Sequence, residues 1–169
     1  KSEKGILIAI SHFGAVELIT PFLSSLMLKM NVCLRFTTET FSQQAHGYAE
    51  RMAKSGNFAP IDFIEIGKPG TRAALDMASA IRRNEILVSV FDEKTEYSIA
   101  VDLLGKKVPG GAGLHKLIQF AAQKCVTCTA HLCRKDSNRY YLDFRVIEES
   151  GEKAIDEMFV NLEHMVTAN

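Results

Sequence analysis

His12 and Glu17 stand five positions apart, just beyond an apolar run at residues 6–10. Ser11-His12 closes the run, Gly14 follows, and an amphipathic stretch begins. This pattern predicts a strand, a tight turn and a helix. A histidine at the C-terminal end of a buried strand sits where open α/β sheets keep their reacting groups. Five positions are about one and a half helical turns, which lets the Glu17 carboxylate approach the His12 imidazole. Such a pair suits a general base and its orienting acid. The imidazole takes a proton, and the carboxylate fixes its tautomer and stabilises the imidazolium. The plainer reading has His12 capping the helix and Glu17 as a solvated first-turn acid favoured by the helix dipole.

Other residues could carry chemistry. Asp92-Glu93 ends a second apolar run, and Asp92 there is either an acid behind the site or a loop cap. Gly110, Gly111 and Gly113 precede a helical stretch, where backbone N–H groups can face a phosphate or an oxyanion. The same glycines also fit a plain loop whose turns need them. His115 falls on a helix face beside Lys116, His131 reads as a satisfied structural histidine, and His46 and His164 read as helix-surface residues. Cys125-x-x-Cys128 with His131 and Cys133 has the residue types of a zinc site. On a strand, however, alternation sends Cys128 to one face and His131 and Cys133 to the other, whereas zinc needs four convergent ligands. No Gly-x-Ser-x-Gly nucleophile elbow is present, which argues against a serine hydrolase.

The elements that must position these residues follow from periodicity. Strands are expected at residues 6–10, 32–37, 61–66, 85–91, 98–103, 126–133 and 139–147. Helices are expected at 14–30, 38–55, 73–83, 114–124 and 152–167. Pro21 kinks the first helix or marks its true start. Thr71 is a candidate N-cap, residues 67–70 a turn, and residues 105–113 a glycine-rich connection. Strands and helices alternate through the first two thirds, and a late hairpin follows. The expected fold is therefore α/β, a mixed and mostly parallel sheet flanked by helices.

Composition sets limits. The 169 residues are 47% apolar and 24% charged, with 20 basic and 20 acidic side chains. The formal net charge is zero, and nothing in that balance asks for nucleic acid. No apolar run approaches the ~18 residues that span a bilayer. The four cysteines, Cys33, Cys125, Cys128 and Cys133, read as reduced thiols.

The block His12-Phe-Gly-Ala-Val-Glu17-Leu18 resembles the His-x4-Glu block of the late acyltransferases of lipid A biosynthesis, the lauroyl/myristoyl branch of the lysophospholipid acyltransferase superfamily. The resemblance extends along nearly the whole chain. Asp92-Glu93 stands where the family has an acidic block. Leu103-Leu104-Gly105 and Gly110-Gly111-Ala112-Gly113 stand at its glycine-bearing segment. Arg134 falls where the family places an Arg after a later strand, and Asn161 and Glu163 lie in the last helix as they do there. Lys68 or Arg72 could stand in for the family's Arg-containing second block. The chain departs from the family in the middle of the acidic block, in a Thr near the glycines and in a Pro of the later strand.

The resemblance implies one acyltransferase-like domain over residues 1–169, in a glycerolipid-acyltransferase-like three-layer fold lacking an N-terminal membrane anchor. It implies transfer of a fatty acyl group from an acyl carrier protein or coenzyme A thioester to a hydroxyl or amine of a lipid A-like glycolipid. His12 and Glu17 would be catalytic. Asp92, Gly110, Gly111, Gly113, Arg134 and Lys68 would bind substrate, with no metal or redox cofactor required. It also implies a cytoplasmic protein in peripheral contact with the inner face of a bacterial inner membrane. Phe13, Leu18, Phe22 and Leu26 either line an acyl channel or belong to the core, and the core is the expectation. Two other functions fit the same residues: the same chemistry on another acceptor, such as a carrier-bound specialised metabolite, or a non-catalytic acyl- or lipid-binding module.

Overall fold

The computed structural model describes residues 4–68, 72–121 and 123–168. Its centre is β1 (Gly5–Ile10), an apolar segment paired in parallel on both sides, with β4 (Ile86–Val90) and β7 (Cys125–Arg134). A strand buried on both faces needs apolar side chains at every position rather than alternate ones, and Leu7, Ile8, Ala9 and Ile10 are all buried. Beyond β4 lie β2 (Met30–Leu34) and then β3 (Ile61–Glu65). Beyond β7 lies β8 (Tyr140–Val146), the one antiparallel member. The six-stranded order is β3-β2-β4-β1-β7-β8. The protein is thus α/β with a mixed, mostly parallel sheet flanked by helices. No helix among the described residues is long and apolar enough to cross a membrane.

Helices cover both faces. One face carries α3 (Ala73–Arg82), α4 (Leu114–Ala121) and α5 (Gly151–Ala168). They bury Ile81, Ile118, Ile155, Met158 and Phe159 against Leu7, Leu87 and Phe91. At about 1.5–3 kcal/mol per fully buried large apolar side chain, this layer is the main source of cohesion. The other face carries α1 (Ile19–Ser25) and α2 (Glu39–Lys54). Ile19 and Leu23 of α1 pack on Ile8, Ile10 and Val88. His46 of α2 lies against Phe63 of β3, with ring centroids 5.0 Å apart, so this histidine is part of an aromatic cluster.

Several local expectations change. Residues 14–30 are not one helix: a 3-10 turn at Val16–Leu18 precedes α1, and Pro21 falls in the first turn of α1, where its missing N–H has no carbonyl to seek. Met30, expected at the end of that helix, opens β2 instead. Thr38, placed at the start of the second helix, is its N-cap, accepting from Phe41 N–H at 3.1 Å. Thr71 lies outside the described residues, as do Pro69 and Gly70 of the expected turn. The stretch 105–113 is not all connection. Lys106–Gly110 forms β6, antiparallel to β5 (Ile99–Leu103), in a separate two-stranded sheet. Leu104 and Gly105 turn between them with φ of 51° and 73°, the two positive values that a tight two-residue hairpin needs.

Candidate active site

Two chain crossings create the site. From β1 the chain passes to the α1 face on its way to β2. From β4 it passes by the β5–β6 hairpin to α4 on the opposite face. β1 and β4 are neighbours, so their exits part at their C-terminal ends, the topological switch point at whose crevice open α/β sheets bind ligands. Ile10 is paired with Val90, and Phe91 N–H donates to Ile10 O at 3.0 Å. The residues two positions past each strand end, His12 and Asp92, therefore emerge side by side.

They are joined twice. The backbone N–H of His12 donates to Asp92 Oδ2 at 2.8 Å, and His12 Nδ1 lies 2.9 Å from Asp92 Oδ1. With Nδ1–H donating to the carboxylate, Nε2 carries the lone pair. The imidazole is 61% exposed and the Asp92 side chain 19%. This is a half-sheltered carboxylate holding an open base. Gly14 shapes the turn that follows: its φ is 73°, and a Cβ there would collide with Leu132 O of β7. That close approach lets Ala15 N–H bond Leu132 O at 2.8 Å and seats the loop on β7.

Glu17 is elsewhere. It is exposed on the 3-10 turn and makes no hydrogen bond or ion pair among the described residues. The helix that was to bring it onto His12 begins only at Ile19. The orienting carboxylate on the imidazole is Asp92.

The glycine-rich segment lies close to Asp92. Gly111 N–H donates to Phe91 O at 2.6 Å. Its glycines have packing reasons of their own. A Cβ on Gly110 would run into the Phe159 ring, and one on Gly111 or Gly113 would crowd Ile155 or Tyr97. Arg134 does not face the site. Its Nε and Nη2 hold the turn after β7 through Asp136 O at 2.9 Å and Ser137 O at 2.8 Å. Lys68 lines a cleft of about 420 Å³ over the ends of β2 and β3, together with Arg35, Thr38, Ser42 and Glu65. Arg35 connects that cleft to the crevice, its Nε 3.2 Å from Glu93 Oε1. Asn161 and Glu163 serve the fold: Asn161 donates to Thr129 Oγ1 at 3.3 Å, and Glu163 accepts from Leu104 N–H at 3.3 Å.

Three features escaped sequence reasoning. Leu18, Phe22 and Leu26 are exposed, not core. The 3-10 turn shifts the helical phase, so that Ile19 and Leu23 point inward instead. His131 is fully buried between the Phe13 and Phe91 rings, at centroid distances of 6.5 and 6.3 Å. Neither of its ring nitrogens has a hydrogen-bond partner among the described residues, and burial pushes its pKa down, which favours the neutral ring. Arg35–Glu93 is the third, and no local pattern announces it.

The cysteines offer no rival nucleophile. Burial pushes the Cys33 and Cys128 thiols up to about 12, and a protonated thiol is inert. Cys128 packs on the α1 face of the sheet, whereas His131 meets Phe91 on the other. No group of three metal-ligating side chains gathers among the described residues. The chain matches no protein family and no curated protein.

Proposed function

We propose that this chain is an acyltransferase of the lysophospholipid acyltransferase superfamily, similar to the lipid A late acyltransferases, acting on a lipid A-like glycolipid. The observation that carries the reading is His12, held through Nδ1 by Asp92 with Nε2 open, at the mouth of the crevice between β1 and β4. A fixed tautomer and an exposed lone pair are what a general base needs. The exposed Leu18, Phe22 and Leu26, on the segment that follows His12, supply an apolar surface for a fatty chain.

In this reading Nε2 takes the proton of the acceptor hydroxyl or amine. The freed oxygen or nitrogen attacks the thioester carbonyl of an acyl carrier protein or coenzyme A donor. The carbonyl π electrons move onto oxygen, and backbone N–H groups hold that charge. When the tetrahedral intermediate collapses, the C–S bond breaks and the thiolate leaves with the proton from the imidazolium. Asp92 stabilises the imidazolium in between. The balance needs a base and two substrates, with no change of oxidation state. The cleft beside Arg35 and Lys68 is the place for a polar acceptor group, and peripheral contact with a membrane would bring the lipid to the crevice.

The test is mass-spectrometric. The protein is incubated with acyl-carrier and coenzyme A thioesters and with detergent-dispersed lipid A precursor or a crude lipid extract, beside His12→Ala. The expected result is a new acylated product whose rate falls by about 10²–10⁴ in the variant, and its mass names the acceptor. A product from another acceptor keeps the chemistry and replaces the glycolipid. Folded protein that binds acyl donors and consumes none is a binding module, and the acyltransferase reading is lost.

A further inference from the structure

The sheet ends at β8, and the outer edge of that strand has no Lys, Pro or bulge among the described residues. Ile147 N–H donates to Thr127 O at 2.9 Å. In the same register Arg145 faces Thr129 and Asp143 faces His131. These are the pairs that exchange hydrogen bonds across the seam with β7. The intervening residues, Leu142, Phe144 and Val146, therefore turn their N–H and C=O groups outward. Exposed edges are normally blunted by Lys, Pro or a bulge. β8 contains neither Lys nor Pro, and its register with β7 runs unbroken from Tyr140 to Val146.

The two faces of β8 are unlike. On the α1 side Tyr140, Phe144 and Val146 are 47%, 45% and 53% exposed, in line with the half-buried Leu142. On the α5 side Asp143 Oδ2 accepts from Arg145 Nε at 2.7 Å, and Arg145 Nη2 lies 3.1 Å from His164 Nδ1. One face of the edge is thus apolar, and the other alternates in charge.

We propose that this edge binds a second copy of the chain, β8 against β8, antiparallel about a two-fold axis through Phe144. Symmetry and charge select that register. Outward-facing residues must meet outward-facing residues, so some residue must lie opposite itself. Centring on 143 sets Asp143 against Asp143, and centring on 145 sets Arg145 against Arg145. Centring on 142 sets Arg139 against Arg145, and centring on 141, which sets Arg139 against Asp143, pairs only Tyr140 to Leu142 of the strand. Like charges directly opposite destabilise a strand pair, and opposite charges stabilise it. Centring on 144 places Asp143 of each copy against Arg145 of the other, twice. It also places Leu142 against Val146 and the two Phe144 rings on the axis. The ladder stops at Val146, because Glu148 N–H is already taken by Glu157 Oε2 at 3.0 Å. The axis is perpendicular to the sheet, so the exposed α1 faces of both copies point the same way. The pairing is independent of the acyltransferase reading.

The test is sedimentation of the full chain from micromolar to sub-millimolar concentration, with circular dichroism to check folding. A concentration-dependent dimer is expected. Asp143→Arg sets Arg against Arg and Arg145→Asp sets Asp against Asp, so each single variant is expected to be monomeric. The double variant D143R/R145D restores both pairs and regains the dimer. Cysteine cross-linking reports the register without relying on those charges, since the four native cysteines are buried. Phe144→Cys, opposite itself, is expected to give an intermolecular disulfide on mild oxidation, whereas Val146→Cys, opposite Leu142, gives little. A wild-type monomer throughout the range overturns the proposal. So does a dimer indifferent to both charge reversals, or one in which Val146→Cys cross-links faster than Phe144→Cys.

Discussion

The two faces of the central sheet are covered unequally. On one side α3, α4 and α5 close over Leu7, Leu87 and Phe91, and Phe159 is wedged against Gly110 so tightly that no side chain fits there. On the other side α1 and α2 bury Ile19 and Leu23 but leave Leu18, Phe22, Leu26 and the stripe on β8 in solvent. Both faces are apolar at the sheet, so hydrophobicity alone does not separate support from function. Exposed apolar surface does not separate them either, since Leu75, Phe120 and Val160 stand exposed on α3, α4 and α5; what separates them is how far the covering helices close over the sheet. The closed face holds the fold, and the open face leaves part of the sheet itself, Phe144 and Val146 of β8, in solvent. The His12–Asp92 pair stands where the two faces meet, at the parting of β1 and β4.

The strongest way to break this contrast is to truncate a ring on each face. Phe159→Ala is expected to cost about 3–5 kcal/mol and to lower Tm by roughly 10 °C, read by calorimetry. If it proves mild, the closed face is not the support. The pair at the boundary comes next. Asp92→Asn keeps the shape but not the charge, and kcat/KM for acyl transfer should fall by about 10²-fold. Glu17→Gln should leave kcat/KM unchanged, and the reverse outcome would return the orienting role to Glu17.

A smaller effect belongs to His131. Burial depresses its folded pKa below the ordinary value of about 6.5. The folded ring is then neutral while the unfolded chain takes up the proton first. Stability is full above about pH 6.5 and declines as the pH falls toward the folded pKa. His131→Phe, between two aromatic rings, should remove that part of the decline, as measured by urea midpoints across the window. The smallest effect tests the open face: Phe22→Ser should change stability by less than about 0.5 kcal/mol while weakening turnover on long-chain donors.

Much of the fold was legible. The alternation of elements, the late antiparallel hairpin and the end of β1 at His12 follow from periodicity and turn chemistry. The hairpin Ile99–Gly110 was legible only in half, because Leu104-Gly105 is an uncommon pair for a turn with two positive φ angles. Of the candidate site, His12 and Asp92 were both marked from their strand ends, but as members of different groups. The residues charged with substrate contact separated: Lys68 lines a cleft, whereas Arg134 clamps its own turn.

The chain by itself determined the alternation of most strands and helices, because that depends on side chains a few residues apart. It also determined that a histidine would close the central strand. Only the tertiary structure decided which carboxylate meets it. Glu17 is five positions away and Asp92 eighty, yet sheet pairing sets Ile10 beside Val90 and carries Asp92 to the imidazole. One 3-10 turn is enough to leave Glu17 in solvent and rotate Leu18 and Phe22 outward. Strand order, helical phase and the free edge of β8 are properties of the whole sheet, set by packing between segments that no local pattern connects.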